Sequence, residues 1–225
     1  EESMSFNRAI NATRQPGSTI KPLSVYLPAL DNGYTATSII DDIPRYNEKG
    51  NRWPKNWYEH KYYKYWGLTT LRKSVEYSIN VNAVKLLEMI GLPLAQDYLA
   101  KFHLIDYNNP EDDNFVTREE NNAYNDVNLA ALALGGLTKG FTPLDMTSAY
   151  GAIANDGVYT EPICYTKVLN SDGKVILEKT PNKSIVVTPP VAFIMKDILR
   201  TTVTQGLSYN AKLPSEMNIE VAGKT

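Results

Sequence analysis

The stretch Arg14-Gln15-Pro16-Gly17-Ser18-Thr19-Ile20-Lys21-Pro22 decides how the rest of this chain is read. Pro16-Gly17 interrupts what precedes it, and beyond Ser18 the apolar residues Leu23, Tyr26, Leu27 and Leu30 recur at helical spacing until Asn32-Gly33 closes the run. The spacing predicts a helix that begins near Ser18. Pro22 is tolerated because it lies close to that start, and Pro28 is expected to bend the second half. On such a helix Ser18 and Lys21 share a face. A serine hydroxyl is a weak nucleophile until a neighbouring base takes its proton. Lysine can be that base if burial and a nearby cation lower its pKa. Alone, Ser-x-x-Lys is more often a surface helix pair than a reactive one.

Two further segments carry groups that would complete an acyl-transfer site. In Ser78-Ile79-Asn80 a hydroxyl and an amide are separated by one residue, so both can point into one cleft. Either could equally cap the helix that follows. Gly223-Lys224-Thr225 offers close approach, a cation and a hydroxyl on a segment that reads as a strand, suited to aligning an extended peptide and its carboxylate.

Working outward, 225 residues can bury a substantial core, and 43 % hydrophobic with 21 % charged residues is ordinary globular usage. A net charge of -2 lacks the basic excess of nucleic-acid binders. Cys164 is the single cysteine, so no intramolecular disulfide is expected. No apolar run is long enough to span a bilayer, and Glu1 does not open a signal peptide. The abrupt start at Glu1-Glu2-Ser3 and the end inside a motif suggest an internal fragment.

Residues 34–67, rich in aromatics and turn formers, are expected as an ordered but irregular connection. Leu68 to Ser78 and Val81 to Ile90 are predicted as two helices, the second closed by Gly91, with a third running from Pro93 through Tyr98 to Phe102. Residues 106–126 are acidic and Asn-rich, hence a surface loop. Thr142-Pro143-Leu144-Asp145 combines a hydroxyl cap, Pro at the first helical position and an acid at the third, opening a helix that ends at Asn155-Asp156-Gly157. Tyr165 to Leu169 and Lys174 to Leu177 read as a hairpin joined by Asn170-Ser171-Asp172-Gly173. Thr188-Pro189 opens a helix with Val191, Ile194, Met195 and Ile198 on its apolar side, and Asn218 to Ala222 reads as a strand leading to Lys224.

Ser-x-x-Lys, a Ser-x-Asn element and a Lys-Thr strand, in this order, are the motif set of penicillin-binding proteins and related lactamases. The flanks are more specific. Phe6-Asn7-Arg8-Ala9, Arg14 to Pro22, Trp53-Pro54-Lys55-Asn56, Gly67-Leu68-Thr69-Thr70-Leu71-Arg72, Ala83-Val84, Gly135-Gly136-Leu137-Thr138-Lys139-Gly140, Thr142-Pro143-Leu144 and Ala154-Asn155-Asp156-Gly157 resemble the transpeptidase domain of class A, bifunctional penicillin-binding proteins. The likeness covers nearly the whole chain. It departs mildly at Thr204-Gln205-Gly206-Leu207, where the family usually has Gly-Thr.

The resemblance implies an α+β fold of the penicillin-binding transpeptidase, serine β-lactamase-like kind, mostly its helical subdomain with an incomplete antiparallel sheet. Residues 1–225 would be a partial domain, lacking the first strands, the last strands and the closing helix, with no glycosyltransferase domain or membrane anchor. It implies Ser18 as nucleophile, Lys21 as base, Ser78 and Asn80 as proton shuttle and orienting amide, and Gly223, Lys224 and Thr225 as the substrate-carboxylate strand. No metal and no cofactor are implied. One oxyanion donor would be the Ser18 N–H, the other lying beyond Thr225. The implied partners are peptidoglycan stem peptides, a D-Ala-D-Ala donor and an amine acceptor, together with β-lactam antibiotics, and not nucleic acid. The parent protein would sit at the outer face of the bacterial cytoplasmic membrane. With its sheet incomplete, the isolated chain is expected to be poorly stable and weakly active.

Three other readings compete. A D,D-carboxypeptidase differs only in using water as acceptor. A class A β-lactamase needs a further Glu, and Glu119 and Glu120 lack the expected Glu-x-x-Leu-Asn context. From another class, Trp53, Trp57, Tyr58, Tyr62, Tyr63, Tyr65 and Trp66, interleaved with Lys55, Lys61 and Lys64, could form a stacking platform for glycans or single strands, although such clusters more often pack a domain wall. His60 and His103 lack metal-ligand spacing.

Overall fold

The structure, a computed structural model, describes residues 5–59, 64–110 and 113–225. Its centre is the predicted helix after Pro16. It starts as a 3-10 turn at Gly17–Ile20, widens to a π turn at Pro22–Tyr26 and ends as α2 at Leu27–Asp31, following the short α1 at Arg8–Asn11. The bend expected from Pro28 is taken up by that widened turn: prolines 22 and 28 cannot donate to the ladder, and the Leu27 N–H reaches back five residues to the Pro22 carbonyl. Every residue from Ile20 to Leu30 is buried, Lys21 and Ser24 included. This helix is the core, and the other helices wrap it.

Those helices are α3 (Leu71–Glu76), α4 (Asn80–Ile90), α5 (Leu92–Lys101), α6 (Leu129–Leu134), α7 (Pro143–Ala154) and α8 (Pro189–Thr204). Thr142 and Asp145 form the expected reciprocal capping box at the start of α7, and Gly91 closes α4 at φ +88. Helix α6 was not expected. It is a six-residue apolar run, too short for a periodic signal, and its start is set by the Asn128 side chain accepting from the Ala131 N–H.

Among the described residues the strands form three antiparallel two-stranded ribbons: β1 (Ile39–Asp42) with β2 (Gly67–Thr70), β3 (Val158–Thr160) with β6 (Lys183–Ile185), and the predicted hairpin of β4 (Lys167–Leu169) with β5 (Val175–Glu178). The α+β expectation holds, although among the described residues the strands are separate ribbons rather than one partial sheet.

Three local expectations are corrected. The connection 34–67 contains β1, and residues 67–70 are strand rather than the start of a helix. Ile39 faces Thr70 and Asp42 faces Gly67 across a gap that no local pattern spans. Thr70 then caps α3 by accepting from the Lys73 N–H. The segment 218–222 is not a strand. A strand requires a partner for its backbone groups, and here the chain lies on α8, where the Gly223 N–H donates to the Leu199 carbonyl at 3.2 Å and the Thr202 hydroxyl donates to the Gly223 carbonyl. The loop 106–126 is anchored from inside by buried Phe115, Val116 and Asp126.

Of the aromatic cluster, Trp57, Tyr58 and Trp66 join Tyr77 in a wall, Tyr58 stacking on Trp66 at 4.4 Å and Trp66 meeting Tyr77 edge-on at 4.9 Å. His60, Lys61, Tyr62 and Tyr63 lie outside the described residues. His103 stacks on Tyr159 at 4.3 Å and sits 3.2 Å from the Ser184 hydroxyl. Among the described residues no helix is long and apolar enough to cross a membrane.

Candidate active site

Ser18 lies in the 3-10 turn, and the Lys21 N–H donates to the Ser18 carbonyl. In a 3-10 helix residues three apart eclipse one another, so the turn sets Ser18 and Lys21 on the same edge more closely than an α-helix would. Ser18 is half-buried and Lys21 fully buried. At a helix start the first N–H groups have no partner within the helix, and the Ser18 N–H is one of these.

The turn is held from the side by the loop after α6. The Arg14 and Phe141 backbones exchange hydrogen bonds at 3.0 Å in both directions, the Gln15 side chain donates to the Leu137 carbonyl at 2.8 Å, and the Gly17 N–H reaches the Gly135 carbonyl at 3.4 Å. Gly135 ends α6 at φ +74, and a Cβ there would lie 2.2 Å from the Gly17 carbonyl oxygen. Only glycine fits both the left-handed backbone and that approach. Buried Asp126 fixes the same loop from below, accepting from the Thr138 N–H at 2.7 Å, the Thr138 hydroxyl at 2.8 Å and the Val116 N–H at 2.9 Å.

The Lys21 amine donates to the Ser78 carbonyl at 3.0 Å, the Ser78 hydroxyl at 3.2 Å and Asn80 Oδ1 at 2.6 Å. Of the residues singled out in the sequence, Ser78 and Asn80 thus meet at the Lys21 amine, and Ser18 lies one 3-10 turn before Lys21 on the same backbone turn. Burial is the main force that pushes the Lys21 pKa well below its usual value, and the charge of Lys224 pushes it further. Among the described residues no acidic partner offsets either effect. Lys224, half-buried, is itself pushed down to about 8 by burial. Its amine donates to the Thr225 carbonyl at 2.6 Å. Of the Gly223-Lys224-Thr225 segment, Lys224 thus acts on Lys21 through its charge, although the segment is not presented on a strand.

Ser78 occupies a strained backbone position, φ +52. It follows the last turn of α3, where the Ile79 N–H donates to the Ser74 carbonyl at 2.9 Å and the Ser78 N–H to the Val75 carbonyl at 3.1 Å. This pair of bonds is a Schellman closure with serine where glycine is usual. The left-handed residue turns the chain so that the Ser78 carbonyl and hydroxyl both face Lys21, and α4 begins two residues later at Asn80.

Sequence reading missed what holds Asn80. Asn56 is 3 % exposed, and its Oδ1 accepts from the backbone N–H of Asn80 at 3.0 Å and of Val81 at 3.2 Å, while the Lys55 carbonyl accepts from Asn80 Nδ2 at 2.8 Å. The cap of α4 thus comes from a segment far away in sequence. Trp53-Pro54-Lys55-Asn56 is visible in the sequence as a flank, but without a role.

Residues 2–225 match the family described as the penicillin binding protein transpeptidase domain. Penicillin-binding protein 1A of Clostridium botulinum is 37 % identical over 235 residues, an alignment covering 100 % of this chain and 26 % of that protein. The chain thus spans about a quarter of the length of such relatives. Among solved structures, the D,D-transpeptidase domain of a peptidoglycan glycosyltransferase from Eggerthella lenta superposes with a TM-score of 0.77 at 24 % identity, covering 100 % of this chain and 56 % of that one. Penicillin-binding protein A of M. tuberculosis, in its imipenem acyl-enzyme complex, superposes with a TM-score of 0.76 at 21 % identity, covering 96 % and 49 %. At these identities the structures speak to the fold, and the family match with the relative fixes the lineage: the chain belongs to the penicillin-binding protein transpeptidase domain family.

Proposed function

We propose that this chain is the acyl-transfer domain of a D,D-transpeptidase that cross-links peptidoglycan stem peptides and is acylated by β-lactams. The observation that carries the reading is the Lys21 amine, buried with no counter-charge among the described residues and held by Ser78 and Asn80 one 3-10 turn from Ser18. Burial that lowers the amine's pKa favours its neutral form, whose two N–H groups can stay on the Ser78 carbonyl and Asn80 Oδ1 while its lone pair accepts a hydroxyl proton.

In the first step Ser18 Oγ attacks the carbonyl of the penultimate D-alanine while its proton passes to Lys21. The Oγ–C bond forms and the peptide C–N bond breaks. The terminal D-alanine leaves as an amine, taking the proton from Lys21 by way of the Ser78 hydroxyl. In the second step the amine of a neighbouring stem peptide attacks the ester, its surplus proton returns through the same groups, and Ser18 is released. Asn80 holds the amine in place, Lys224 and Thr225 receive the donor carboxylate, and the Ser18 N–H points to the developing oxyanion. A β-lactam enters the first step, but its leaving group stays tethered, so the ester persists. With water as acceptor the same groups would run a carboxypeptidase.

The share of the relative that is matched, 26 %, supports a longer parent protein, and the resemblance to class A penicillin-binding proteins is what suggests for it a glycosyltransferase portion and a membrane anchor at the outer face of the cytoplasmic membrane. The test is labelling of the full-length protein with a fluorescent penicillin. One label per Ser18, lost in Ser18→Ala, is expected. Labelling that survives Ser18→Ala would overturn the assignment, and fast nitrocefin turnover would favour a lactamase instead.

A further inference from the structure

Asn56 caps α4 from a distance, and its own amide is not free to turn. Asn56 Nδ2 donates to Asp42 Oδ1 at 2.8 Å and to the Tyr58 hydroxyl at 3.0 Å. Asp42 is completely buried at the end of β1, and its other oxygen accepts from the Tyr58 hydroxyl and from the Trp66 N–H at 2.8 Å. A carboxylate can only accept, so Asp42 dictates which end of the Asn56 amide faces it. Nδ2 must point to Asp42, and Oδ1 is thereby aimed at the first two N–H groups of α4. Those two bonds set where Asn80 begins the helix, and Asn80 Oδ1 is the nearest partner of the Lys21 amine, at 2.6 Å.

We infer that Asn56 and Asp42 form a positioning pair for the acyl-transfer site, with Asp42 orienting the Asn56 amide so that Asn56 fixes Asn80 against Lys21. This rests on the proposed role of Lys21 as the base for Ser18. An ordinary helix cap would behave differently. Aspartate serves as well as asparagine at a helix start, and its charge suits the helix dipole. In this pair, aspartate at position 56 would set two carboxylates face to face in a buried site.

The experiment measures the rate of Ser18 acylation by a fluorescent penicillin across pH in the full-length protein, for wild type, Asn56→Asp, and the exchanged pair Asp42→Asn with Asn56→Asp. Asn56→Asp alone is expected to slow acylation roughly tenfold or more, as misplacement of a catalytic group does. The exchange again presents a carboxylate to an amide, with the amide at position 42 now the donor, and should recover most of that rate. The new charge at position 56 lies two hydrogen bonds from the Lys21 amine, on which Lys224 is the charge that acts among the described residues. The exchanged pair should therefore carry its rising pH limb about one unit higher than wild type. A purely structural role would lower the folded fraction of Asn56→Asp and leave the acylation rate per folded molecule at its wild-type value.

If wild type acylates at Ser18 and Asn56→Asp matches it in rate and pH profile, the inference is wrong while the function stands. It is equally wrong if the exchanged pair fails to fold, or folds without recovering the rate or without the shifted limb. If Asn56→Asp does not fold, the exchanged pair alone decides. Failure of wild type itself to acylate at Ser18 would instead remove the function on which the inference rests.

Discussion

Replacing Ser78 by glycine and by alanine should separate the backbone demand at this position from its chemistry. Ser78 sits at φ +52 in the Schellman closure of α3, a conformation that costs a residue with a Cβ roughly 1–2 kcal/mol. Ser78→Gly relieves that strain but adds freedom to the unfolded chain worth about 0.4–1 kcal/mol. Ser78→Ala keeps the strain. Both lose the hydroxyl contact to Lys21 at 3.2 Å and neither touches the backbone carbonyl bond at 3.0 Å. The glycine variant should therefore be more stable than the alanine variant by about 1 kcal/mol, or ~2–4 °C in thermal midpoint for a domain of this size. Both should acylate a fluorescent penicillin at least about a hundredfold more slowly than wild type, in line with removal of a proton-transfer group. Scanning calorimetry paired with single-turnover labelling provides both readouts. Alanine as stable as glycine would show that the left-handed turn is not intrinsic to this site, and a glycine variant labelling at the wild-type rate would show that the hydroxyl carries no proton.

Lys21→Met should abolish acylation yet stabilise the fold at neutral pH, because the native state no longer has to bury an amine. The sign follows from the lowered native pKa: between it and the ordinary value of 10.5 the unfolded chain binds more protons, so wild-type stability rises with pH across that window and the advantage of Met shrinks toward its top. Denaturant titrations at several pH values would show a constant gap if Lys21 were charged when folded. Lys224→Met removes the cation acting on Lys21, so the Lys21 pKa rises and the rising limb of the acylation–pH profile moves upward, and an unmoved limb would exclude the electrostatic role. Gly135→Ala drives a Cβ to 2.2 Å from the Gly17 carbonyl oxygen at φ +74. It should cost about 2–4 kcal/mol and slow acylation, since relief requires the Ser18 turn to move. A thermal midpoint within about 2 °C of wild type, less than about 1 kcal/mol would give, contradicts the packing described.

What could be read without coordinates was whatever depends on neighbours along the chain. The Thr142 capping box, the Gly91 stop, the 165–177 hairpin and the Thr188-Pro189 start are local backbone decisions, and each appears where the residues place it. The motif residues could be named for the same reason: Ser-x-x-Lys and Ser-x-Asn are short, and their flanks identify the family. Even the helix after Ser18 was legible, although its 3-10 and π turns were not, because they arise from prolines 22 and 28 being accommodated inside a packed core.

Tertiary structure decided everything that needs two distant segments. The pairing of β1 with β2, the fit of Gly135 against Gly17, and the Asp42–Asn56–Asn80 line are contacts across long loops, and no local pattern encodes which segment will be the partner. The conversion of Lys21 from an ordinary surface-type amine into a candidate base is also of this kind. Desolvation is a property of the surrounding core and not of the side chain, so a sequence can place a lysine beside a serine, but only the packing of α4 and the 14–22 stretch around it removes its water and shifts its proton.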